Sequence, residues 1–137
     1  MNTRSEKIWN IGITHLVKPP FDPEAAAFRS NAKFHFFDSR NEENFDHELL
    51  RKLDAFLVWT TGITQQTIDN LKKCRILVRY GVGFDKIDIS ALNHAGIAFS
   101  NNPEYGPEDV ADTAMALLLA LQRKILQHDI GCRGYQG

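Results

Sequence analysis

The sequence has few cysteines and no long apolar run. Its two cysteines, Cys74 and Cys132, could form at most one disulfide and do not make a C-x-x-C pair, so neither a disulfide framework nor a zinc site is indicated. No window approaches the roughly 18 consecutive apolar residues that span a bilayer, and the first ten residues lack the apolar segment of a secretory signal. We therefore expect a cytoplasmic protein without a membrane contact.

The chain also lacks an excess of charge of either sign. Its 16 lysines and arginines face 17 aspartates and glutamates, which gives a formal net charge of −1 at pH 7. Without a basic patch, binding to nucleic acid or to an anionic membrane is not favoured. The 43% hydrophobic and 24% charged residues are typical of an ordinary globular protein, and 137 residues suit one domain better than two.

Prolines are confined to positions 19–23 and 103–107, which leaves the region between them free of the strongest breaker of helices and strands. Short apolar runs there alternate with segments of helical spacing. The predicted strands are Ile8–Thr14, Lys33–Phe37, Ala55–Trp59, Ile76–Tyr80 and Ile97–Phe99, and the predicted helices are Pro23–Ser30, Phe45–Leu53, Gln65–Lys72 and Ile89–His94. This alternation predicts a flavodoxin-like α/β domain, in which helices flank a parallel sheet of about five strands.

A fifth and longer helix is predicted to begin at Pro107, which suits a first helical turn, and to reach Gln127 or Ile130. Gly131 is expected to end it. The run Ala114–Leu121 is apolar almost all round, so this helix must be buried on several sides. We expect a second domain or a second subunit to cover it.

A glycine loop follows the fourth predicted strand. Gly81, Val82 and Gly83 offer consecutive backbone N–H groups that can bind an anion such as a carboxylate, and glycines allow positive φ and close approach. The alternative interpretation is a tight turn that binds nothing. A dinucleotide-binding loop is disfavoured, because G-x-G-x-x-G requires a third glycine where this sequence has Lys86.

Other polar residues give weaker signals. The hydroxyl-rich segment Thr60–Thr64 superficially resembles a phosphate loop, but capping of the third helix by Thr64 is the simpler interpretation. Asp85 or Asp88 is expected to cap the fourth predicted helix. The five histidines are dispersed without metal-binding or triad spacing, so no metal ligand and no catalytic residue is predicted. His15, at the end of the first strand, is the histidine best placed to face a ligand crevice.

Four motifs in the second half of the chain form a specific combination. They are R-x-G-x-G-x-D-x-I-D at Arg79–Asp88, Gly96-Ile97, Asn102-Pro103, and E-D-V-A-D-T-A-M-A-L-L-L-A-L-x-R-K-I at Glu108–Ile125. Over Leu77–Gly134 the chain resembles the D-2-hydroxyacid dehydrogenase family. The stretch from Pro103 to Asp112 is most similar to the branch of that family related to C-terminal binding proteins.

The resemblance implies a site at the glycine loop. The backbone N–H groups of Val82 and Gly83 would bind the carboxylate of a small 2-hydroxy or 2-keto acid, and Gly81, Arg79 and Tyr80 would lie beside it. In the complete enzyme, which uses NAD or NADP, the long helix approaches the nicotinamide. Val110 is the residue of this chain that falls at that point.

The resemblance also implies a division into a substrate-binding domain, residues 1–106, and a long interdomain or oligomerisation helix, residues 107–131. The family's nucleotide-binding Rossmann domain carries the glycine motif and the catalytic arginine, glutamate and histidine, and none of these is found in the 137 residues. We therefore expect a truncated or split substrate-binding portion that is inactive alone, binds NAD or NADP at most weakly, and forms a homo-oligomer or joins a missing nucleotide-binding half. The alternative is a non-enzymatic ligand- or protein-binding module with the same fold.

Overall fold

The structure is a computed structural model that describes residues 7–15, 18–28 and 31–135. The chain divides into two compact units, Met1–Pro103 and Glu104–Gly137. The first unit contains the sheet with its surrounding helices, and the second contains two helices.

The first unit is built on one parallel sheet. Its strands are β1 Trp9–Thr14, β2 Ala32–Phe37, β3 Ala55–Val58, β4 Ile76–Arg79 and β5 Ala98–Ser100. All four neighbouring pairs are parallel, and the strand order is β2-β1-β3-β4-β5. This is the flavodoxin order, in which the chain changes direction across the sheet between β1 and β3. The predicted α/β fold with five parallel strands is confirmed.

Short helices connect the strands: α1 Asp22–Phe28, α2 His47–Leu50, α3 Gln65–Ile68 and α4 Ile89–His94, with a 3-10 turn at Glu42–Asn44. The predicted caps are confirmed, since the side chain of Thr64 accepts a hydrogen bond from the backbone N–H of Gln66 and that of Asp88 accepts one from Ala91. These bonds satisfy N–H groups that have no partner within the helix.

Two of these helices are shorter than predicted. After Ile68 the backbone N–H groups of Asn70 and Leu71 donate to carbonyls three residues back, and Leu53 does the same after α2. The chain therefore continues each helix as a tighter turn. The hydrophobic spacing that predicted Phe45–Leu53 and Gln65–Lys72 does not distinguish these two kinds of turn.

One face of the sheet carries the main core. Phe56 is fully buried and packs against the rings of Phe37 and Phe45 at centroid distances of 5.3 and 5.8 Å. Gly12 of β1 lies beneath this cluster, where an added Cβ would stand 2.6 Å from Cδ1 of Leu53. The opposite face is covered in part by α1, whose neighbour Phe21 contacts Phe34 and Phe36 of β2.

The second unit corrects the prediction of one long helix. Two helices are present, α5 Pro107–Gln122 and α6 Ile125–Gly134. Lys124 between them has a left-handed backbone with φ of 52°, which ends α5 because L-residues cannot continue a right-handed helix in that conformation. Gly131 was expected to stop the helix but lies inside α6. Pro107 occupies the first turn of α5, as predicted.

Candidate carboxylate-binding site

The loop Gly81–Gly83 leaves β4 at the carboxyl edge of the sheet, and Val82 is 43% exposed. The carbonyl oxygen of Gly81 accepts a hydrogen bond from the backbone N–H of Asn102 at 3.3 Å, and that of Val82 accepts one from Nδ2 of Asn101 at 2.7 Å. Within the described ranges, the backbone N–H groups of Val82 and Gly83 donate to no other residue. The loop is thus held through its carbonyls, while these two amides have no acceptor among the described residues.

The glycines of this loop do not use the positive φ that glycine allows. The glycines with a left-handed backbone among the described residues are Gly96 and Gly106. A Cβ at Gly81 would lie 3.8 Å from Nε of Arg79, and a Cβ at Gly83 would lie 3.4 Å from Oδ1 of Asp85. Both are ordinary contacts, so the glycines are not required by backbone strain, and what they provide is an uncovered main chain.

Arg79, the last residue of β4, lies next to this loop. Its side chain is half-buried, and its Nε is buried without a hydrogen-bond partner in the described part of the chain. An unpaired buried donor is costly, and more so on a charged group. A guanidinium suits a carboxylate because both are planar and bidentate, so Arg79 is a candidate partner for an anion beside Gly81.

Tyr80 is engaged elsewhere. Its hydroxyl donates a hydrogen bond to Oε1 of Glu24 in α1 at 2.6 Å, and its ring packs against Trp59 at a centroid distance of 5.6 Å. Burial, and then the hydrogen bond and negative charge of Glu24, raise the pKa of Tyr80 far above its usual value, so the hydroxyl stays protonated. Consecutive strand residues point to opposite faces of a sheet, which separates the side chains of Arg79 and Tyr80. Direct contact of Tyr80 with a substrate stays a prediction.

His15 lies at the carboxyl end of β1, as predicted, and is buried. Its ring nitrogens are 3.3 Å from the hydroxyl oxygens of Thr60 and Thr61. The hydroxyl of Thr61 is oriented toward the carbonyl oxygen of Ser39, which leaves it free to accept from His15. Both ring nitrogens are therefore satisfied within the fold. A cavity of about 310 Å³ beside it is lined by His15, Lys18, Asp38, Ser39 and Arg40.

Val110 lies in the first turn of α5 and is 70% exposed. It lines an apolar concavity of about 430 Å³ in the second unit, together with Asp109, Thr113, Ala114 and Leu117. None of the residues of α5 is buried. Its proposed approach to a nicotinamide stays a prediction.

Other sites are not supported by the described residues. They contain no group of three or more histidine, cysteine, aspartate or glutamate side chains able to hold a metal ion. Burial raises the pKa of the Cys74 thiol to about 11, so this cysteine is protonated at neutral pH and unreactive. No helix in the described ranges is both long enough and apolar enough to cross a lipid bilayer.

Sequence reasoning missed the partners that hold the loop in place. Glu24 is 56 residues from Tyr80, and no spacing pattern relates residues so far apart. Asn102 belonged to a recognised motif, but its hydrogen bond to Gly81 had no sequence signal. Trp59 was assigned to a strand and not to a site.

Two curated proteins show the similarity in sequence. The chain is 36% identical over 83 residues to the glyoxylate reductase of Thermococcus litoralis and 39% identical over 70 residues to glyoxylate/hydroxypyruvate reductase A of Arabidopsis thaliana. These stretches cover 60% and 51% of this chain but 25% and 22% of those proteins. The chain thus spans about a quarter of the length of these relatives.

Solved structures agree in fold. An acyclic imino acid reductase in complex with NADPH and D-Arg is 29% identical with a TM-score of 0.71, over 92% of this chain and 42% of that one. The D-lactate dehydrogenase from Aquifex aeolicus, complexed with NAD and lactic acid, is 21% identical with a TM-score of 0.73, over 93% of this chain and 39% of that one. The second likeness establishes the fold alone.

The match to a family profile is broader. Residues 13–128 match the D-isomer specific 2-hydroxyacid dehydrogenase catalytic domain, and they include the end of β1, the strands β2 to β5, the glycine loop and α5. The chain therefore belongs to the D-isomer-specific 2-hydroxyacid dehydrogenase family.

Proposed function

We propose that this chain is the substrate-binding portion of an NAD(P)-dependent D-2-hydroxyacid dehydrogenase, and that its glycine loop binds the carboxylate of a small 2-hydroxy or 2-keto acid. The observation that carries the proposal is the asymmetry of the loop: the carbonyls of Gly81 and Val82 accept hydrogen bonds, whereas the amides of Val82 and Gly83 donate none within the described residues. Two adjacent open amides match a carboxylate.

Arg79 supports the same ligand. Its guanidinium lies near Gly81, where an added Cβ would stand 3.8 Å from Nε and 3.9 Å from Nη2, and this planar, cationic group matches a carboxylate in shape and charge. Two amides and a guanidinium would hold the substrate by its carboxylate, and this fixes the position of C2, the carbon that is oxidised or reduced. Such positioning contributes to catalysis by removing the entropy cost of orienting the reactants.

The glycine loop does not suit a dinucleotide. The glycine loop has Lys86 where the third glycine would be, and it leads to α4, a helix of only six residues. We therefore assign NAD or NADP to a nucleotide-binding half, with Val110 of α5 approaching the nicotinamide when the halves are joined. The 137 residues alone are expected to be inactive in hydride transfer.

The apolar surface of α5 fits that assembly. Leu117 is 67% exposed and Leu121 is 75% exposed, and burying large apolar side chains favours association. We propose that a second copy of the chain or the nucleotide-binding half covers this helix. Light scattering of the Leu117→Glu variant should show less association than wild type, and an unchanged mass distribution would argue against the helix as the contact.

Carboxylate binding is tested by titrating the protein with glyoxylate while backbone amide signals are followed by NMR. Val82→Pro removes one donor, because proline has no N–H, and should weaken binding roughly tenfold or more, as expected for a lost hydrogen bond to a charged group. Val82→Ala keeps the N–H and is the matched control, with affinity within about twofold of wild type. Equal affinities of the two variants, or signals of Val82 and Gly83 that do not move on titration, would refute the site.

The non-enzymatic alternative would use the same exposed helix, α5, as a binding surface. A module that uses α5 to bind a protein would tolerate Val82→Pro without loss of that partner, and it would not bind glyoxylate. The similarity to the branch of C-terminal binding proteins belongs to this alternative and stays a prediction. Glyoxylate binding that depends on the amide of Val82 favours the substrate-binding function over it.

A further inference from the structure

We propose that Glu24 is a positioning residue for the glycine loop and acts through the hydroxyl of Tyr80. The inference rests on the proposed function, because the loop it positions is the proposed carboxylate site. Tyr80 immediately precedes Gly81, and the pair joins α1 to the end of β4 across 56 residues of sequence. No ligand contact is assigned to Glu24 itself.

Tyr80 is fixed at three points. Its backbone N–H donates to the carbonyl oxygen of Val58 at 3.0 Å, which keeps it in register with β3. Its ring packs on Trp59, whose own backbone N–H is held by Oγ1 of Thr14 at 2.9 Å. Its hydroxyl is held by Glu24 at 2.6 Å, a short distance typical of hydrogen bonds to an ionised acceptor. The third contact prevents the ring from pivoting.

The position of Tyr80 determines where the loop begins. The next residues are Gly81, whose carbonyl is held by Asn102, and Val82, whose carbonyl is held by Asn101. The loop is thus anchored on one side by asparagines after β5 and on the other by the tyrosine before it. A shift of about 1 Å at a binding group is enough to lose much of its effect, so release of Tyr80 would misplace the amides of Val82 and Gly83.

Stability gives a poor account of this pair. The second carboxylate oxygen of Glu24, Oε2, is buried without a hydrogen-bond partner in the described residues. A buried carboxylate that is only half satisfied costs folding free energy, and such groups in native proteins ask for an explanation beyond packing. Phenylalanine in place of Tyr80 together with an apolar residue in place of Glu24 would fill the same space without that cost. The geometry therefore points to orientation of the loop as the role of the pair.

The test compares Glu24→Ala, Glu24→Gln and Tyr80→Phe in the full chain, with glyoxylate affinity and the amide signals of Val82 and Gly83 as readouts. Glu24→Ala and Tyr80→Phe should each weaken binding about five- to tenfold and move both amide signals in the absence of ligand. Glu24→Gln keeps an oxygen acceptor for the hydroxyl and should restore affinity to within about threefold of wild type. The control is Thr67→Val, which removes a buried hydroxyl that donates to Glu42 and should lower stability without changing affinity.

The outcomes separate the two proposals. Wild-type affinity and unmoved amide signals in both Glu24→Ala and Tyr80→Phe would overturn the positioning role while leaving the carboxylate site intact. Weakened binding in Tyr80→Phe alone, with Glu24→Ala unchanged, would also overturn it, because Tyr80 would then contact the ligand directly. If wild type does not bind glyoxylate, the carboxylate site fails, and the ligand-free amide signals of Glu24→Ala still decide whether Glu24 orders the loop.

Discussion

The side-chain amide of Asn101 donates a hydrogen bond to the carbonyl oxygen of Val82 at 2.7 Å. This bond turns the peptide between Val82 and Gly83 so that its oxygen faces the end of β5, and the N–H of Gly83 therefore faces away from Asn101. One asparagine thus sets the direction in which the glycine loop presents a donor. We therefore predict that Asn101, which has no proposed contact with the substrate, controls the affinity of the loop for the substrate.

Asn101→Ala should weaken glyoxylate binding about three- to tenfold, since the freed carbonyl of Val82 no longer fixes the peptide orientation. The loss of unfolding free energy should be under about 1 kcal/mol, because the bond is exposed. Ser100→Ala, one residue away and exposed, is the matched control. Calorimetric titration of the two variants checks the prediction, and equal affinities would contradict it.

Gly12→Ala should destabilise the first unit by about 1–3 kcal/mol, the usual cost of overpacking a core. The added Cβ would stand 2.6 Å from Cδ1 of Leu53 and 2.7 Å from Cδ2 of Phe56, and both neighbours are fully buried. Gly131→Ala is the contrasting control, because nothing lies within 4 Å of its Cβ position inside α6, and it should stabilise its helix by roughly 0.5–1 kcal/mol. Urea unfolding measures both changes in unfolding free energy, provided that its dependence on urea concentration has the same slope in each variant as in wild type. A Gly12→Ala protein as stable as wild type would show that the core accommodates the added methyl group.

Acidification should destabilise the first unit through Asp54. Burial by itself would raise the pKa of this carboxyl, but the backbone N–H of Asn10 at 3.0 Å and the ammonium of Lys7 at 2.8 Å bring the pKa below its usual value. The unfolded chain therefore takes up the proton first, so the stabilisation is present above the unfolded pKa of about 3.9 and is lost as pH falls through the folded value. Asp54→Asn should remove this part of the pH dependence.

The pH dependence of stability also reports on His35, whose pKa is lowered by burial and then by the charges of Lys33 and Lys52. Its protonation is disfavoured in the folded protein, so stability falls as pH drops below the unfolded histidine value of about 6.5. Urea midpoints of wild type and Asp54→Asn, measured between pH 7 and pH 3, separate the pH range in which His35 acts from the lower range in which Asp54 acts. Parallel curves for the two proteins below pH 4 would exclude Asp54 as the cause.

Glu42→Ala should lower the unfolding free energy by about 1–3 kcal/mol. One carboxylate ties the 3-10 turn to α3, since Oε1 accepts from the hydroxyl of Thr64 at 2.7 Å and Oε2 accepts from its backbone N–H at 2.9 Å and from the buried hydroxyl of Thr67. Without Glu42 the hydroxyl of Thr67 stays buried and unpaired. Glu43→Ala, on an exposed neighbour, should change stability by less than about 0.5 kcal/mol. Thermal unfolding of both variants distinguishes them.

The sequence by itself determined the order and kind of the elements. Run length and helical spacing predicted five strands and the helices between them, because burial of one face leaves a periodic pattern in any single segment. Local chemistry also predicted the caps at Thr64 and Asp88 and the start of α5 at Pro107. The glycine loop was found by its position after a strand. In each case the deciding interactions lie within a few residues of one another.

The tertiary structure decided what connects distant segments and how the chain bends between elements. The break between α5 and α6 follows from the left-handed backbone of Lys124, and no glycine in the sequence marks that position. The tight turns after α2 and α3 could not be distinguished from helix by the hydrophobic spacing of their side chains. Tyr80 donates a hydrogen bond to Glu24, 56 positions away, and Asn101 donates one to Val82, 19 positions away. Whether such groups meet depends on how the strands pair and how the helices pack on the sheet, and no pattern within a single segment records that packing.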